Sequence, residues 1–394
     1  MSPAQASQLA VDAGVFFCGA AALLWPAIGV YLLVGGRALR GLGSVKPRPD
    51  DALPSVTIVS TARDEAARVE NAARSLLAQD YPNVEIIIVD DRSTDGTGAI
   101  LDRLGAESPR LRVIRVEALP PGWLGKCHAL SIAASAARGE WLLFTDGDVW
   151  MAPDALRRGV SLALALGADH LAVGADLEIH SLGERIFITY FTALFFASQR
   201  PWKAPDPKSK AHIGIGAFNL VRRDIYACAG GHERLRMEVL DDLGLGLIVK
   251  RAGGRSHLAL HDGYLRVRWH EGLRGLVGGV EKNAFAAFRY RVGETVGSVA
   301  LQFLGSVAPV VGFLLPGTPA PIFAAISWIG IWLFYRAIGR VVRLRWWDFL
   351  TAPLGAALFS FSILWSMVVT LRGGGVTWRK SHYGLGELRR NMVR

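Results

Sequence analysis

Hydrophobic positions along this 394-residue chain fall into two regimes. Long unbroken apolar runs lie near its ends, and short apolar runs alternate with helix-periodic segments between them. Val15–Val34 is long enough to cross a bilayer, since about 20 apolar residues span the hydrocarbon core. Its Pro26 is tolerated in a membrane helix. The residues before it carry no positive segment and no small-residue cleavage site follows, so it reads as an uncleaved anchor rather than a signal peptide. Three further apolar runs come late, at about Val296–Leu315, Pro321–Ile338 and Phe349–Leu371.

Between the apolar ends, Val56–Ser60, Glu85–Val89, Arg112–Val116, Trp141–Thr145 and His170–Gly174 read as strands. Helical patterns near Ala66–Gln79, Gly96–Leu104, His128–Ala137 and Pro153–Leu166 separate them. Short apolar strands alternating with helices predict an α/β domain with a mostly parallel sheet covered on both faces. Ligands of such sheets bind beyond the carboxyl ends of the strands. After residue 176 the pattern is less regular. Pro201–Lys210 is a basic, proline-rich loop and Ala217–Val221 a strand, with Asp224 capping a short helix. Asp241–Ala252 reads as a helix stopped by Gly253-Gly254. Glu271–Tyr290 is amphipathic, with Leu273, Leu276, Val277, Val280 and Phe288 at near-helical spacing. It reads as a helix lying along the bilayer surface, the alternative being a core-packed helix. The expected division is an anchor and linker (1–50), the α/β domain (51–270), the interface helix (271–295), a C-terminal transmembrane region (296–371) and a basic tail (372–394).

Composition supports the membrane reading: hydrophobic residues make up 51% and mean hydropathy is +0.28. The net charge of +10 suits an anionic membrane surface. With neither zinc-finger spacing nor an aromatic–basic motif, nucleic acid is not an expected partner. Three scattered cysteines form no disulfide framework. Arg37, Arg40, Lys46 and Arg48 follow the anchor while Asp12 precedes it, which places the middle of the chain in the cytoplasm, at the inner (plasma) membrane. Pro316–Ala320 carries no charge and suits the outer face, and Arg336, Arg340, Arg343 and Arg345 mark a return. The tail conflicts with this count. Three late crossings would put it outside, yet it carries Arg372, Arg379, Lys380, Arg389, Arg390 and Arg394. Either the charge rule fails there or one late segment only enters the interface.

Acidic motifs sit where the sheet should present them. Asp146-Gly147-Asp148 follows the apolar strand Trp-Leu-Leu-Phe-Thr. Alternate residues of extended chain point the same way, and Gly147 lets the backbone approach a ligand. Two carboxylates there suit Mg²⁺ or Mn²⁺, hard cations that share their shell with phosphates. Asp90-Asp91 ends another strand and suits a base or ribose, while Asp95 reads as a helix cap. Thr61 and Arg63 can approach a nucleotide, and Glu65 favours a helix N-terminus. Lys126, before a helical run, suits a diphosphate. Of Asp241-Asp242, one carboxylate can take a proton from an acceptor hydroxyl and the other can orient it. Trp269 offers a ring face, and Arg268 a diphosphate or carboxylate contact.

At these residues the chain resembles the family 2 glycosyltransferases of GT-A fold. The matching elements are Thr61-Ala-Arg-Asp-Glu65, Val89-Asp-Asp-Arg-Ser-Thr-Asp-Gly-Thr97, Gly125-Lys126, Thr145-Asp-Gly-Asp148 and Asp241-Asp242 with Leu245-Gly246. Pro120-Pro-Gly-Trp-Leu-Gly-Lys126 and Gly375-Val-Thr-Trp-Arg-Lys380 look like the hopene-associated and carotenoid-type members. The resemblance implies inverting, metal-dependent transfer of a sugar from a nucleotide-diphosphate donor, a UDP-sugar being favoured. It implies that Asp91 lies near the base with Asp90 beside it, that Asp146 and Asp148 hold the sugar nucleotide and metal, and that Asp242 is the base, with Asp241 replacing the usual Glu. Processive members carry Gln-x-x-Arg-Trp; Leu265 stands at the Gln position before Arg268-Trp269, which argues for single-sugar transfer. A site beside the bilayer points to a membrane-lipid hydroxyl as acceptor. The competing readings are a polyprenyl-phosphate sugar synthase and a non-catalytic nucleotide-binding membrane protein.

Overall fold

The computed structural model describes residues 2–393, so Met1 and Arg394 lie outside the described residues. In chain order the elements begin with α1 (Pro3–Gly36), β1 (Arg40–Gly41), β2 (Val56–Ala62), α2 (Val69–Leu77), β3 (Val84–Asp91), α3 (Thr97–Glu107), β4 (Leu111–Val116) and α4 (Gly125–Ala136). Next come β5 (Trp141–Asp146), β6 (Val149–Met151), α5 (Ala155–Leu166), β7 (His170–Val173), β8 (Asp176–Leu177), α6 (Leu182–Gln199), β9 (Asn219–Arg222), α7 (Arg223–Cys228) and α8 (Asp241–Arg251). The last are β10 (Ser256–Leu260), β11 (Leu265–Val267), α9 (Gly272–Ala287), α10 (Val292–Val311), α11 (Ala320–Arg336), α12 (Ala352–Arg372), β12 (Gly375–Trp378), β13 (Ser381–Gly384) and α13 (Leu385–Asn391).

The chain divides into two compact units. One takes residues up to Ala38, Ile179–Ser198 and His270–Gly374; the other takes Leu39–Glu178, Gln199–Trp269 and the chain from Gly375 on. The second unit holds an eight-stranded sheet ordered β1-β10-β7-β9-β5-β2-β3-β4. Neighbours run parallel except β9, which is antiparallel to both β5 and β7. Both faces are covered, as the apolar strands require. Ile58, Ile86, Ile88 and Leu143 pack on one face with residues of α2, α3 and α5, while Val59, Ile87, Val89 and Phe144 pack on the other with residues of α4 and α8. The expected mostly parallel α/β sheet is therefore present. A small sheet, β6-β11-β8, lies beside it.

The other unit is built from apolar helices. Pro3–Gly36 (34 residues), Val292–Leu314 (23) and Asp348–Arg372 (25) are long and apolar enough to cross a membrane, whereas α11 has 17 residues. α1 and α11 meet through glycines: a Cβ on Gly29 or Gly330 would collide with the facing backbone, so these positions allow the close approach that small residues give apolar helices. Part of the amphipathic stripe of α9 is covered by protein, while Leu273, Val277 and Phe288 stay half-buried. Leu276 and Val280 are buried, Ala284 joins Val299 and Ile363 in a cluster, and Trp365 Nε1 donates to Glu281 Oε2 at 2.7 Å.

Several local expectations shift. α4 starts at Gly125 rather than near His128. Asp224 sits inside the first turn of α7, behind an Arg222 N-cap, and accepts from Ile225 N–H. Asp95 stands one residue outside the Gly96 N-cap of α3 yet still accepts from Thr97 N–H at 2.9 Å. α6 and the tail hairpin β12–β13 are elements that the hydrophobic pattern did not announce.

Candidate active site

The ends of β2, β3 and β5 stand side by side because their registers pair Thr61 with both Val89 and Asp146, and Ala62 with Asp90. The loops leaving these ends therefore gather the acidic motifs. Lys126, in the first turn of α4, lies among them. Its Nζ is 2.8 Å from Asp146 Oδ1 and 3.1 Å from Asp241 Oδ2. Burial works against its charge, but Asp146, Asp241 and Asp242 overcome that and hold it protonated well above the ordinary lysine range. Lys126, Asp146, Asp241 and Asp242 line one small cavity together with Thr145, Gly216, Asn219 and His232.

Asp242 is the most constrained of the acids. Gly216 N–H donates to its Oδ2 at 3.0 Å and Leu243 N–H to its Oδ1 at 2.8 Å. Burial, then the neighbouring Asp241, push its carboxyl above the ordinary range, against the pull of Lys126. Gly214 and Gly216 leave no room for a side chain: a Cβ on Gly216 would strike Asp146 and one on Gly214 would strike Asp242 O. Asp148 is pushed up to about 6 by burial, then by the charges of Asp146 and Glu65. A buried carboxylate with like charges beside it fits a cation. Among the described residues no group of three His, Cys, Asp or Glu side chains converges into a metal site. The donor set the protein offers is thus carboxylate oxygen from Asp146 and Asp148, leaving shell positions for phosphate and water, which suits Mg²⁺ or Mn²⁺.

Asp90 and Asp91 part company because adjacent strand residues face opposite sides. Asp91 is gripped by Arg92 through two hydrogen bonds of 2.7 and 3.0 Å, has Arg63 at 3.9 Å, and lies against Gly125. Asp90 turns toward Gly98 and Arg115 and accepts from Ser93 N–H at 3.2 Å, so it braces its own loop rather than standing beside Asp91. Glu65 opens the turn before α2: Thr97 Oγ1 accepts from its N–H at 2.8 Å, and its carboxylate pairs with Arg379. Arg268 donates to Glu178 O at 3.0 Å, and neither it nor Trp269 lines the Lys126 cavity. His232 was not foreseen. It is buried behind Lys126, its Nδ1 shares a 2.8 Å hydrogen bond with the Tyr226 hydroxyl, and burial followed by Lys126 lowers its pKa to about 3. The Gly230-Gly231 pair before it, both at positive φ, was the available clue.

Residues 57–230 match the family described as Glycosyl transferase family 2. The 4,4'-diaponeurosporenoate glycosyltransferase of Staphylococcus aureus is 22% identical over 345 residues, covering 84% of this chain and 89% of that protein. The succinoglycan biosynthesis protein ExoO of Rhizobium meliloti is 36% identical over 141 residues, and the beta-monoglucosyldiacylglycerol synthase of Synechocystis is 33% identical over 151. The chain spans 38% and 31% of the lengths of these two. Among solved structures, the mannosyltransferase PcManGT from Pyrobaculum calidifontis, in complex with GDP-Man and Mn²⁺, shares the fold at a TM-score of 0.56 and 19% identity, covering 92% of this chain and 99% of that one. The family match falls on the very strands whose ends collect the carboxylates, and over residues 57–230 the chain carries a glycosyltransferase family 2 domain.

Proposed function

We propose that this glycosyltransferase moves a single sugar from a nucleotide-diphosphate donor to the hydroxyl of a membrane lipid, with inversion, at the cytoplasmic face of the inner membrane. The observation that carries the reading is Asp242, a half-buried carboxylate fixed by two backbone N–H groups beside the Lys126–Asp146 pair. A base must be ionised yet ready to accept a proton, and burial tunes Asp242 that way. In the proposed step Asp242 takes the acceptor's hydroxyl proton, the oxygen attacks the anomeric carbon in line, and the bond from that carbon to the diphosphate breaks. Lys126 stays charged and faces the departing diphosphate. A divalent cation held by Asp146 and Asp148 would supply further charge for the leaving group. Asp91, with Arg63 and Arg92, would flank the nucleoside.

The lipid acceptor rests on the apolar helices and on relatives named for carotenoid and diacylglycerol substrates. A UDP donor and, equally, a GDP donor fit this donor set. The test uses full-length protein in nanodiscs, a panel of labelled sugar nucleotides and Mn²⁺ or Mg²⁺. Label should enter an alkali-stable lipid, and Asp242→Asn should lower the rate by about 10²–10⁴-fold, the usual contribution of a general base. Label in an acid-labile anionic lipid, with Asp242→Asn nearly as active, would replace the reading with polyprenyl-phosphate sugar synthesis.

A further inference from the structure

The tail belongs to the catalytic unit. β12 and β13 form a hairpin whose register runs from Gly375↔Gly384 to Trp378↔Ser381, leaving Arg379 and Lys380 as the tip. Its root is buried: Val376 and Tyr383 are shielded, and the Tyr383 hydroxyl accepts from Gly125 N–H at 3.3 Å. Beyond it Leu388 is buried, and Val393 joins the core under α4 and α8 while its N–H donates to Glu238 Oε2 at 3.1 Å.

The tip is aimed at the donor motifs. Arg379 pairs with Glu65. Lys380 Nζ donates to Thr94 Oγ1 at 2.9 Å and lies 3.6 Å from Asp64 Oδ2. Asp64 and Glu65 belong to the loop leaving β2, and Thr94 to the loop leaving β3, the two loops that flank Asp91 and Asp146. Glu65 is close enough to Asp148 for its charge to be felt there. The backbone at the tip is also unusual. Arg379 sits at φ +55°, the left-handed conformation that tight two-residue hairpin turns favour and glycine takes freely. Both cations keep solvent access and are held by Glu65, Asp64 and the Thr94 hydroxyl, partners that they can exchange. A diphosphate offers a stronger partner than one carboxylate, and arginine's planar fork matches it.

We propose that the Arg379–Lys380 tip of the C-terminal hairpin is a donor-binding element that exchanges Glu65 and Asp64 for the diphosphate of the nucleotide sugar and straps it over the strand ends. This rests on the nucleotide-sugar reading above. The tip makes the donor's phosphates, rather than its base or sugar, the group recognised by the tail.

Arg379 and Lys380 are themselves trypsin sites, which gives a readout independent of turnover. Full-length protein in nanodiscs is digested with and without UDP or GDP plus Mn²⁺. Nucleoside diphosphate should slow cleavage at the tip several-fold, and the monophosphates UMP and GMP should not. By calorimetry, the Arg379→Gln/Lys380→Gln variant should bind the diphosphate about 10–100-fold more weakly and the monophosphate within about 2-fold of wild type, because only charge-assisted phosphate bonds are lost. Arg379→Lys/Lys380→Arg, which keeps the charges, should recover most of the loss. Equal weakening for mono- and diphosphate would make the hairpin a mere brace and overturn the strap, as would unchanged affinity for both. Wild-type protein that binds neither nucleotide would overturn the strap together with the donor reading on which it rests.

Discussion

Lys126 is the residue through which the acids coexist. Its ammonium touches Asp146 and Asp241 and is felt by Asp242, so removing it leaves the buried Asp241 facing two half-exposed carboxylates. Lys126→Met should lower the melting temperature by less than the breaking of a fully buried pair would, along with lost transfer. Gly216→Ala should act differently. Its methyl would press on Asp146 while little of the core moves, so activity should fall at least about 10-fold with melting nearly unchanged. The pH profile should follow Asp242. Its pKa is raised to about 6 by burial first, so the ionised base is present above that pH, and kcat/KM should decline as pH falls through about 6. Periodicity in the sequence placed Asp91 and Asp146 at strand ends and Asp241-Asp242 at a helix start, and the structure has them there. Periodicity did not tell Asp90 from Asp91, since facing is settled by the register with β4 and by the space above Gly98. His232 escaped because nothing local links it to Lys126.

At the scale of elements, apolar period decided what was legible. β2, β3, β4, β5 and β7 were visible because each is a short apolar run set between helix-periodic segments. α6 was not, because Ile186, Phe187, Ile188, Thr189 and Tyr190 are all buried in succession, and a helix enclosed on every side shows no stripe. It is held at its start by Arg185, whose Nη1 lies 3.1 Å from the buried Asp348 Oδ2, an oxygen that also accepts from Arg345 N–H. Asp348→Ala strands that arginine and should lower stability by about 3–5 kcal/mol in a detergent melt, whereas a surface pair such as Arg236–Glu233 should cost under about 1 kcal/mol. The tail hairpin was hidden for another reason. Gly375-Val-Thr-Trp and Ser-His-Tyr-Gly384 are too short and too mixed to declare strands, and their pairing is stabilised by burial of Val376 and Tyr383.

For the whole molecule, the tail decides how the chain threads a bilayer. Because it is folded into the catalytic unit, Leu39–Glu178, Gln199–Trp269 and the chain from Gly375 must share one side of any bilayer the chain spans, which requires an even number of crossings between Trp269 and Gly375. α10 and α12 are the two late helices long and apolar enough to cross, and α11, at 17 residues, is the shorter one, so two full crossings would give an even count and reconcile the basic tail with the charge rule. An impermeant maleimide applied to sealed vesicles should therefore label the native exposed Cys228 and an Arg390→Cys variant from the same side, with Cys18 and Cys127 buried and unreactive. Opposite labelling would refute the even count. The same discontinuity governs synthesis. A ribosome delivers the sheet and the apolar helices before it delivers the hairpin, so if the tip straps the donor, the nascent chain lacks that part of its donor site until the hairpin emerges. A chain cut at residue 270 to make a soluble enzyme would then preserve the motifs but lose the strap.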